Sequence, residues 1–153
     1  MGSYKPYRSS YAVTGEYRPD RSRFIAPSLD DIEALAAEAY AQLPDAFRDL
    51  CGDIIVRVSD FPTEEVLKDL NAETPFDLLG LFHGVGMVAD GGTPRTGQMP
   101  NMIWLYRRPI LDYWAEHEDT LGDIVAHVLI HELGHHFGLS DEDMEQIEAE
   151  ASA

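Results

Sequence analysis

Cysteine is almost missing from this chain. Cys51 is the only one in 153 residues, which excludes an intramolecular disulfide and a thiolate zinc cluster and suits a reducing compartment. Long apolar runs are missing too. No stretch approaches the roughly 18 to 20 apolar residues of a membrane span, and the first residues lack the apolar region of a secretory signal. The expected location is cytoplasmic, with Cys51 a buried structural thiol. Positive charge is scarce: 11 Lys and Arg stand against 28 Asp and Glu, a formal net charge of −17. Such a surface repels the phosphates whose neutralisation drives nucleic-acid binding. Nucleic acid and anionic membrane are therefore excluded as expected partners.

What is present suits one folded domain. With 44% hydrophobic and 25% charged residues, the composition is that of a soluble globular protein long enough to bury its own core. The few basic residues are unevenly placed. Residues 1–27 hold Lys5, Arg8, Arg18, Arg21 and Arg23 against Glu16 and Asp20, without helical or alternating periodicity. This segment is expected to be a disordered basic tail, with an arm folded over the acidic body as the alternative. The folded domain is expected at 28–153, and no internal repeat is seen.

Ser28 is a fitting N-cap for a helix over Leu29–Leu43, where Ile32, Leu35, Ala36, Ala39 and Leu43 recur at helical spacing. Pro44 interrupts it, and Asp45–Leu50 adds a short turn. Asp53–Asp60 is β-branched enough for a strand, Thr63 caps a short helix to Leu70, and Leu78–Phe82 and Asn101–Tyr106 are further strand candidates. Residues 83–100, rich in Gly, Pro and Thr, form a long loop suited to the rim of an active site. Pro109 starts a helix to about Glu118 expected to bury Ile110, Leu111 and Trp114. Thr120 caps the next helix, which ends at Gly138, and an acidic helix follows from about Asp141.

That penultimate helix carries the chemistry. His131, Glu132, Leu133, Gly134 and His135 form the HExxH pattern. Residues four apart share a helix face, so both imidazoles reach one ion, while Glu132, about 100° round the helix, contacts a metal-bound water as general base. A catalytic zinc needs a third protein ligand and an open fourth position. Asp141 completes HExxHxxGxxD, with Gly138 letting the chain reverse beneath the metal. Glu145, Glu148 and Glu150 are the rival third ligands.

These residues resemble the metzincin consensus and, more closely, a family of small bacterial zincin-like metallopeptidases with a minimal matrix-metalloproteinase-like fold. The run HELGHHFGLSDEDM at 131–144 is similar to that family's signature, and the order of elements from about residue 28 fits it as well. The resemblance implies an α+β, zincin-like fold with a short mixed sheet of about three strands packed on helices and the metal site on the HExxH helix. It implies His131, His135 and Asp141 as zinc ligands and peptide-bond hydrolysis as the activity. Metzincins have histidine where this chain has Asp141, and Met144 falls out of register with their methionine turn.

The other histidines play lesser parts. His127, His131 and His135 span about 12 Å along a helix and cannot all bind one ion, so His127 is expected behind the ligands or at the surface. His136 either orders the site and its substrate or caps the helix C-terminus. His83 and Arg95 flank the loop and can touch substrate; Tyr106 can donate to an oxyanion. The expected function is a zinc-dependent metallopeptidase acting on a peptide or protein substrate. The alternatives are a non-catalytic metal-binding or regulatory module and another metal-dependent hydrolase.

Overall fold

The computed structural model describes residues 19–84 and 101–152. Arg95, most of the glycine-rich loop and residues 1–18 lie outside them. The described part of the basic segment forms a single 3-10 turn at Arg21–Arg23 that buries nothing, with Asp20 accepting from the Ser22 amide. Its last residue is tied to the body: Arg107 Nε donates to the Pro27 carbonyl at 2.5 Å, and its Nη1 reaches Asp60 at 3.0 Å.

The element order is α1 (Leu29–Ala41), α2 (Asp45–Cys51), β1 (Ile54–Ser59), α3 (Glu64–Asp69), β2 (Gly80–His83), β3 (Asn101–Tyr106), α4 (Arg107–Glu116), α5 (Leu121–His136) and α6 (Asp141–Ala151). This is the expected α+β arrangement. The helix starts follow their caps. Ser28 and Asp31 form a reciprocal capping box on α1, while Thr63 and Thr120 accept from the amides of Val66 and Asp123. The expected turn after Pro44 is a full helix, α2, which buries Phe47 and Cys51.

The helix placed at Pro109 starts two residues earlier, because the Asp60 carbonyl accepts from the Arg108 amide at 3.0 Å and draws the chain into the turn. Pro109 and Ile110 are buried there, but Trp114 is 37% exposed, contrary to expectation. Its helical spacing marks one face of α4, and the body covers only the part of that face near the N-terminus.

The three strands form one mixed sheet in the order β1-β3-β2, with β3 parallel to β1 and antiparallel to β2. Along β3, Ile103 and Leu105 are fully buried while Met102 and Trp104 are not, the two-residue alternation of a sheet packed on one face. Helix α5 covers that face and joins two hydrophobic clusters. Ile124, Val125 and Val128 meet Ile32, Ala36, Leu105 and Ile110 in a far core. Leu129, Ile130 and Leu133 meet Phe47, Cys51, Ile103 and Met144 in a site-side core. Each such side chain contributes about 1.5–3 kcal/mol on full burial. No described helix is long and apolar enough to cross a membrane.

Candidate metal centre

Helix α5 presents His127, His131 and His135 at successive turns. The rings of His127 and His131 lie 3.9 Å apart, centroid to centroid, and those of His131 and His135 lie 5.8 Å apart, edge to face. The helix ends at His136, and the chain turns at Gly138, whose φ of +74° is a left-handed conformation that a side chain would strain. Leu139 and Gly138 then donate their amides to the carbonyls of Gly134 and His135, at 2.9 and 3.2 Å, the paired bonds that close a helix C-terminus around such a glycine. One residue later Ser140 starts α6 in a capping box with Asp143. Asp141 is thus the first helical residue of α6, one short turn away from His135.

This reversal brings the sequence-predicted donors together. His131, His135 and Asp141 each offer one ligand atom, and the three atoms lie within 4.8 Å of one another. Two imidazoles and a carboxylate are a donor set suited to zinc. His131 is also in the right state: burial, then the neighbouring His127, lowers its pKa below the ordinary imidazole value, while Glu148 and His135 pull in opposite directions. The net direction favours the neutral ring that a metal requires. The residues present fit a zinc ion.

Glu132 is half-buried beside this set. Burial raises its carboxyl above the usual carboxylate range, partly offset by the Phe82 amide and by His135. A carboxyl raised in this way suits proton transfer better than an exposed glutamate. Tyr106 is only 3% exposed; burial and then the Glu132 charge push its phenol up. His136 lies stacked on Phe82 with centroids 3.8 Å apart, and burial lowers its pKa. His83 sits exposed at the end of β2.

Two residues had positions that sequence reasoning did not foresee. Met144, out of register with a methionine turn, is fully buried under the HExxH segment. A Cβ on Gly134 would lie 2.5 Å from its Sδ and 2.7 Å from its Cγ, so glycine there lets Met144 and α6 lie close against α5. Glu148, one of the rival ligands, places Oε1 at 2.7 Å from His127 Nδ1 and 3.1 Å from His131 Nε2. Its signal in the sequence is its distance from Asp141: seven residues, about two helical turns, return it to the same face of α6.

The family model described as zincin-like metallopeptidase matches residues 51–151, from the end of α2 through α6. No curated protein matches the chain.

Proposed function

Because the chain belongs to the zincin-like metallopeptidase family, we propose that it hydrolyses peptide bonds, with His131, His135 and Asp141 holding a zinc ion and Glu132 as general base. The observation that carries this reading is the convergence of those three donors beside a half-buried glutamate on the same helix. A zinc ion bound there supplies Lewis acidity, lowering the pKa of bound water to about 7 and polarising a carbonyl. Glu132 takes the proton of the attacking water and returns it to the leaving amine. Its raised pKa lessens the cost of holding that proton between the two steps.

The substrate in this reading is an extended peptide or a flexible protein segment. β2 is an edge strand of the sheet, paired only with β3 among the described strands, and an extended chain can add to such an edge by backbone hydrogen bonds. The Phe82 amide that approaches Glu132 belongs to this strand. The net charge of −17 favours basic segments over acidic ones, an effect that salt screens over about 8–10 Å.

Glu132→Gln preserves shape but cannot accept the proton. The variant should retain zinc and lose about 10²–10⁴-fold in peptide hydrolysis, read from a peptide-library digest beside a metal assay. Wild-type turnover in that variant would overturn the mechanism.

A further inference from the structure

The donor row on α5 is longer than the zinc set uses. Three imidazoles recur at one-turn intervals, and α6 faces them with Asp141 and, two turns later, Glu148. Asp141 meets His131 and His135; Glu148 meets His127 and His131. In both groups the three ligand atoms lie within 4.8 Å of one another, and His131 belongs to both. The register that produces this pairing is held by Met144, which sits between the two acids in α6 and packs against Gly134.

Glu148 turns one carboxylate oxygen toward both rings. Its Oε1 is shielded from water and has no well-directed hydrogen bond, although two imidazole nitrogens stand at 2.7 and 3.1 Å. Donor atoms of a tetrahedral zinc site, at roughly 2.0–2.2 Å from the ion, stand about 3.3–3.6 Å apart. At 2.7 and 3.1 Å, the observed separations must open by about 0.2–0.9 Å to admit one.

We propose that His127, His131 and Glu148 form a second position for a divalent cation of the zinc and cobalt type, adjoining the His131, His135 and Asp141 set and sharing His131 with it. Two imidazoles and one carboxylate select such borderline ions over magnesium or calcium. Access from solvent is open: two cavities, of about 460 and 380 Å³, are both lined by His127 and Glu148 among the described residues. An ion here lies toward the N-terminal side of His131, while Glu132 and His135 lie on its other side. It is a holding position, from which an ion reaches the hydrolytic set by exchanging His127 and Glu148 for His135 and Asp141 while keeping His131.

This inference shares His131 with the proposed peptidase site but does not depend on its turnover. The test is a titration of chelator-stripped full-length protein with Co²⁺, read from the intensity and position of its visible absorption bands, with circular dichroism confirming the fold of each variant. H135A/D141A should still bind one Co²⁺ per chain, with a spectrum different from that of H127A/E148Q. Adding E148Q to H135A/D141A should weaken binding at least tenfold. H131A should lose both forms. If H135A/D141A binds Co²⁺ no better than H131A does, or if E148Q leaves its affinity unchanged, the second position does not exist. If H127A/E148Q loses Co²⁺ while H135A/D141A keeps it, the second position stands and the ligand set of the proposed peptidase site falls.

Discussion

The two cores along α5 are built alike and serve different ends. In the far core, Ile32, Ile110 and Val125 join helices to the sheet, away from the turn that carries His135 and Asp141. In the site-side core, Leu129, Leu133 and Met144 lie in or beneath the turns that carry His131, Glu132 and His135. Equal burial therefore has unequal consequences. Packing in the far core fixes the fold, whereas packing in the site-side core also fixes the distance between α5 and α6, on which both donor groups depend.

Truncation in each core sharpens the comparison most. Ile32→Ala and Met144→Ala, both at fully buried positions, should each cost about 2–5 kcal/mol in denaturant unfolding. Only Met144→Ala should also weaken zinc retention in the folded protein, as read by chelator competition. Equal retention in both variants would mean that the site is indifferent to the packing beneath it. A smaller effect on stability is expected from Gly134→Ala. The new methyl must displace Met144, an overpacking cost of about 1–3 kcal/mol, and zinc should dissociate faster because α6 is pushed away.

The two capping boxes allow a finer comparison. Ser28→Ala and Ser140→Ala remove equivalent caps, each costing about 1 kcal/mol. The second frays the turn that contains Asp141, so it alone should raise the metal dissociation constant. The smallest expected effect concerns Cys51. Burial pushes its thiol up to about 11, so its contribution to stability is complete below the ordinary thiol pKa and is lost as pH rises through about 11. At pH 8 it should resist alkylation, and removing zinc should speed its modification a few-fold by loosening the site-side core. A rate unmoved by chelation would separate that core from the metal.

Much of this was legible in the sequence because the information was local. Ser28, Thr63 and Thr120 marked helix starts through their own side chains, the β-branched run marked β1, and Gly138 marked the end of α5. The candidates His131, Glu132, His135 and Asp141 stand out by spacing on one helix and one tight turn, and three of them come together in the fold. What escaped depended on partners remote in the chain. The start of α4 is set by a carbonyl at Asp60, the exposure of Trp114 by where the body ends, and the parallel pairing of β1 with β3 by a register no local pattern encodes. Helix rise alone sets His127 apart from a single site with His131 and His135, but the acid that faces it lies on α6. Only the packing of Met144 on Gly134 shows which acids meet which imidazoles.

The short connection between α5 and α6 also bears on how the protein folds. Every donor named here lies within residues 127–148, on two helices joined by Phe137–Ser140, whereas the β1–β3 ladder pairs Ile54 with Asn101. Local contacts form early and distant strand pairing forms late, because the chain between distant partners must first be closed. The helical hairpin that carries the donors is therefore expected to assemble before the sheet exists, and on the proposed metal-binding reading an unfolded chain would retain some affinity for the ion. By mass action, zinc would then stabilise the native state less than its affinity for the native site would suggest, since it would bind both ends of the equilibrium.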